Sequence, residues 1–142
     1  MFATTPDRWD GLPTDQLADA LAQVDRDALD DVELVAVLAA HQRLINHHMA
    51  HRARLMVEVC ERFERDARTR IVLDGEFAHL EVGTALTLTR RKAQVEVQVA
   101  YAVVQDFPLV LAALGSGSID WAKAIGWTSP LGLTYTIDPR GP

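Results

Sequence analysis

The chain has 142 residues, 49% hydrophobic and 24% charged, with a net charge of -6. That is enough for one domain with a real core, and it excludes a disordered chain, which needs fewer apolar residues and a larger charge imbalance. A single cysteine, Cys60, excludes an internal disulfide and a thiolate zinc site built from this chain alone.

The opening residues MFATTPDRWDGLPTD carry neither a basic n-region nor an apolar h-region, and no run approaches eighteen uninterrupted apolar residues. A cytoplasmic protein without a membrane span is the expectation. The acidity is local: residues 1–33 hold nine Asp or Glu against Arg8 and Arg26, and the remainder holds eleven acids against twelve Lys or Arg. Bulk charge therefore disfavours nucleic-acid binding, while a basic patch in the second half remains compatible with it.

In chain order, Trp9-Asp10-Gly11-Leu12-Pro13 reads as a turn. Thr14 is a fair N-cap for a short helix carrying Leu17, Leu21 and Val24. Residues 1–28 thus form an acidic N-terminal segment with one short helix. Asp30 and Glu33 have the spacing of a capping box. From there to Arg68 neither Gly nor Pro intervenes, which predicts a long amphipathic helix over about 30–68. Leu34, Leu38, Ile45, Met49, Met56, Val59 and Phe63 share one face of it. Arg52 falls within that face, so it requires an acid or a route to water.

Asp74-Gly75 breaks the pattern, and EFAHLEVGTAL reads as a helix of about ten residues. The following run, Val95-Glu96-Val97-Gln98-Val99, alternates like a strand, but the alternation fails at Ala102-Val103-Val104. On a helical wheel of residues 90–105, Arg90, Arg91, Gln94, Gln98, Tyr101 and Gln105 share a polar stripe. Valines and alanines fill the rest, and only Lys92 and Glu96 intrude. A helix buried on two sides is the expectation, packing overriding the low helix propensity of valine. Phe107-Pro108 begins another helix with Leu109, Leu111 and Leu114 apolar, Gly115-Ser116-Gly117-Ser118 ends it, and IDWAKAIGW gives a further turn or two. Residues 126–142, rich in Pro and Gly, read as an irregular tail. The fold class is all-α, a small helical domain.

Two constellations are candidate sites. His41, His47, His48 and His51 lie on the long helix, two of them four residues apart, but no HExxH or paired cysteine completes a shell. No metal or cofactor is expected from them, and a solvated histidine face is the simpler reading. Asn46-His47-His48 has the letters of the HNH nuclease motif, yet three residues packed into one helix cannot build that site. Cys60 reads as a core residue, because no base is placed beside it.

The second constellation is residues 81–97. Helix, a three-residue turn Thr87-Leu88-Thr89 and a second helix capped by Thr89 match a helix-turn-helix hairpin over about 76–105. Gly83, Leu88, Ala93 and Val97 take its small or buried positions. Arg90 and Arg91 would then meet phosphate or guanine, Gln94 and Gln98 adenine edges, and Tyr101 the DNA backbone. Thr87 replaces the glycine usual at such a turn, and the competing reading is a helical hairpin with a solvated face.

The segments LDDVELVAVLAAHQRL and EFAHLEVGTALTLTRRKAQVEVQVAYAVVQDFPLVLAALGSGSIDWAKAI resemble an actinobacterial domain-of-unknown-function family found N-terminal to HNH endonuclease modules, including the thirteen-E-twelve repeat proteins. The resemblance covers about residues 29–125. It is carried by L-x-L-T-R-R-x-A-Q at Leu86–Gln94 and by FP-x5-AL-x2-G-x-ID at Phe107–Asp120. It implies a helical accessory domain whose nuclease chemistry resides in a separate C-terminal module. That module has no counterpart here, so a truncated copy without catalytic residues is expected, contacting duplex DNA or an HNH nuclease partner. The alternatives are a self-association module acting through the long helix, and a fragment without independent activity.

Overall fold

A computed structural model describes Trp9, residues 14–69 and residues 76–128. Among these residues there are six α-helices and no strand: α1 (Thr14–Ala22), α2 (Asp31–Thr69), α3 (Glu76–Ala85), α4 (Arg90–Tyr101), α5 (Pro108–Gly115) and α6 (Trp121–Thr128). The all-α expectation holds. Of the irregular tail expected over residues 126–142, residues 126–128 are instead the helical end of α6; the turn at residues 10–13, the break at Asp74-Gly75 and the tail from residue 129 lie outside the described residues.

The long helix starts where its capping box is written. The Glu33 amide donates to Asp30 Oδ1 at 2.8 Å, and the Asp30 amide donates to Glu33 Oε2 at 3.0 Å, so two otherwise orphaned donors are satisfied reciprocally. Its 39 residues pack on two different sides. Near the N-terminal end Val37 and Ala40 bury against Trp9, Leu17 and Leu21. Further along, Ala50 joins Val99, Val103, Val110, Leu114, Ile119 and Ala124, while Ala53, Met56, Val57 and Cys60 join Ala78, Val82, Val97 and Ala100.

One expectation about this helix is corrected. Of the single face read from the sequence, Met56 is buried and Met49 and Val59 are half-buried, but Leu34, Leu38, Ile45 and Phe63 are exposed, Leu38 by 70%. With α1 on one flank and α3–α5 on another, the buried side shifts around the helix along its length, and no single stripe describes it.

The valine-rich stretch is helical. From Arg90 to Tyr101 it is α4, and Ala102–Asp106 continues it as one π-helical turn. Val97, Val99 and Val103 are buried in two separate clusters, as burial on two sides requires. Phe107 leaves helical geometry at φ -126°, as a residue before proline tends to do, and Pro108 opens α5. The chain bends by 105° there. Of the apolar residues of α5, Leu109 is 84% exposed, because Val110 and Leu114 take the buried side of the helix. Among the described residues no single helix is long and apolar enough to cross a membrane.

Candidate nucleic-acid interface

The α3–α4 hairpin is set by its turn. The Leu88 amide donates to the Gly83 carbonyl at 2.8 Å and the Thr87 amide to the Thr84 carbonyl at 3.2 Å. Thr87 itself is left-handed at φ 54°. This pair of bonds around a left-handed residue is a Schellman stop, which satisfies the last carbonyls of α3. The conformation usually calls for Gly or Asn; a β-branched threonine adopts it at a cost.

Thr89 then caps α4, its Oγ1 accepting the Lys92 amide at 3.3 Å. Gly83 lets the helices approach closely. A Cβ built there would stand 3.2 Å from Ala93 Cβ and 3.5 Å from the Leu88 carbonyl oxygen. Gly83, Ala93 and Val97 are buried and Leu88 half-buried, in keeping with the small or buried positions read from the sequence.

On the outer side of α4, Arg90, Arg91, Gln98 and the following Gln105 are exposed and Gln94 is half-exposed. Tyr101 differs: it packs against the cluster of Met56, Val57 and Cys60. Its phenol is pushed up to about 12 by burial first, then by Cys60, Glu64 and Glu61. The tyrosine end of the stripe therefore sits beside carboxylates, and phosphate would be welcomed at the arginine end. There α4 opens with Arg90, Arg91 and Lys92 and no acid in its first turn. Cations at the positive end of a helix dipole work against helix stability, whereas an anion at that end is favoured by both the dipole and the arginines.

The two residues that intrude into the apolar sector are accounted for together. Glu96 is buried, with its side chain 6% exposed. Its Oε2 accepts from Arg52 Nη2 at 2.9 Å and from Trp121 Nε1 at 2.8 Å, and Lys92 Nζ lies 3.5 Å from Oε1. The Arg52 guanidinium also lies 5.5 Å from the Trp121 ring centroid, a cation–π contact. Arg52 in the face of the long helix has thus found its acid. Its Nε, buried, has no hydrogen-bond partner.

The remaining candidates separate. Asn46 is buried and structural, its Nδ2 donating to the Gly117 carbonyl at 3.1 Å and its Oδ1 accepting from Gln42 Nε2 at 2.8 Å. Cys60 is buried, and burial followed by Glu64 and Glu61 raises its thiol pKa, the opposite of what a nucleophile requires. Among the described residues no group of three or more His, Cys, Asp or Glu side chains is placed to hold a metal ion. Sequence reasoning missed the Glu96 hub as a unit, although Arg52 and Glu96 each stood out separately. No known protein family, curated protein or solved structure matches the chain.

Proposed function

We propose that this chain is a non-catalytic, DNA-contacting accessory domain that docks the N-terminal half of α4 on duplex DNA. The observation that carries the reading is the α3–α4 turn. Thr87 is held left-handed, Gly83 lies against Ala93, and a second helix begins with two outward arginines followed by outward glutamines. In this reading Arg90 and Arg91 meet phosphate or a guanine edge, Gln94 and Gln98 face base edges, and Tyr101 contributes packing more than contact. The similarity of Leu86–Gln94 and Phe107–Asp120 to the HNH-associated family supports an accessory role beside a nuclease module, with the cleavage chemistry supplied by that partner.

Fluorescence anisotropy with a labelled duplex tests it. Binding is expected at low salt with a steep loss as salt rises. Arg90→Ala/Arg91→Ala should weaken it across all sequences and flatten the log–log salt slope by about 2, one for each phosphate contact removed. Wild type and double variant binding equally poorly at low salt would sink the proposal.

A second reading is favoured by one observation. Leu34, Leu38, His41, Ile45 and His48, all exposed, recur at alternating four- and three-residue steps along α2, the seam pattern of two helices that coil together. On this reading the long helix pairs with α2 of a second copy.

A further inference from the structure

His47 and His51 stand one turn apart on α2, and their Nε2 atoms are 3.0 Å from each other. The ring centroids are 4.6 Å apart and the planes cross at 71°. Two imidazoles meeting end-on would have centroids farther apart, so the rings are tilted off that line. On its other side His47 Nδ1 lies 2.6 Å from the Gly115 carbonyl oxygen. A carbonyl only accepts, so the proton of neutral His47 is on Nδ1 and the Nε2 lone pair points away from the protein interior toward His51. A backbone carbonyl fixing one ring nitrogen so that the other is free to ligate is the usual support of a metal-binding histidine.

We propose that His47 and His51 chelate one divalent transition-metal cation through their Nε2 atoms. Metal–imidazole bonds of about 2.05 Å put two nitrogens about 2.9 Å apart in adjacent positions of a square-planar or octahedral ion, and about 3.3 Å apart in a tetrahedral one. The 3.0 Å separation of the two hydrogen-bonded nitrogens lies nearer the first value, the arrangement taken by Cu2+ or Ni2+ with water in the remaining positions. His51 exchanges its Nε2 proton for one on Nδ1 through solvent, so both ligands are neutral and no net proton is released. Gly115 ends α5, so the metal is bound to that helix's docking as well. A coordinated His47 is a stronger Nδ1 donor and grips the Gly115 carbonyl more firmly. His48 is placed differently, its ring centroid 6.5 Å from that of His51, and it is not a ligand.

Calorimetric titration of the full chain with Ni2+, and electron paramagnetic resonance with Cu2+, test the assignment. One site per chain with two equatorial imidazole nitrogens is expected. His51→Ala and His47→Ala should each weaken it at least about tenfold, while His41→Ala and His48→Ala leave it within about threefold. Ni2+ should raise the Tm of wild type and not of His51→Ala, an exposed position whose loss leaves the helix packing alone. Unchanged affinity in His51→Ala, or an equal loss in His48→Ala, would overturn it.

Discussion

At Glu96 the helical wheel puts a carboxylate inside an apolar sector, and at Arg52 it puts a guanidinium inside an apolar face; each is costly until the two meet. Glu96 also receives the Trp121 indole N–H, so this one carboxylate ties α2, α4 and α6 together. Removing it strands a cation. Because the Arg52 side chain is 30% exposed and can turn partly to water, Glu96→Ala is expected to cost about 3 kcal/mol, the low end for breaking such a pair. Adding Arg52→Met should recover part of the loss by removing the stranded charge. A double-mutant cycle in urea measures this, and strictly additive losses would show that the pair is not coupled. Both residues were conspicuous in the sequence as misfits. Their pairing was not, because 44 residues separate them and only the packing of α4 on α2 brings them together.

Two helices end in the same way with different residues. The Schellman stop of α3 has Thr87 at its left-handed position. That of α5 has Gly117 at φ +81°, with the Ser118 amide bonded to the Ala113 carbonyl and the Gly117 amide to that of Leu114. Gly117 also has no room: a Cβ there would stand 2.9 Å from the Arg43 carbonyl oxygen and 2.0 Å from Arg43 Cγ. Gly117→Ala should therefore destabilise the fold by about 2 kcal/mol or more, whereas Thr87→Gly should stabilise it by about 1 kcal/mol through release of strain. Urea midpoints read both, and a shift in the opposite direction for either would contradict the turn assignment. Gly115-Ser116-Gly117-Ser118 announced its turn through glycine. At Thr87 the hairpin was legible from the small residues around it, while the left-handed backbone was not. The π-turn at Ala102–Asp106 left no sign in the sequence, since its residues suit an α-helix equally well.

For the whole molecule, helix class and the order of elements followed from periodicity and caps, but the orientation of the long helix did not. A wheel averages over the length of a helix, and α2 turns different sides to α1 and to α3–α5. What that leaves exposed, the Leu34–Leu38–Ile45 row, predicts concentration-dependent association. Leu38→Lys should shift light-scattering mass toward monomer without lowering the Tm measured on dilute protein. A clean wild-type monomer at high concentration would count decisively against pairing through α2.

The same helix contributes to three buried clusters. Trp9, Leu17, Leu21, Val37 and Ala40 make one, while the two from Ala50 onward meet at the half-buried Trp121, which packs against both. At a rise of 1.5 Å per residue α2 runs about 58 Å, longer than a core of this size needs. Arg43 stands at the junction, its guanidinium donating to the Trp9 carbonyl on one side and its backbone lying against Gly117 on the other. Hydrogen exchange is expected to show α1 and the start of α2 opening at a lower free energy than the rest of the described residues. Equal protection of the α1 amides and those of the α3–α4 hairpin would show instead that the two parts unfold together.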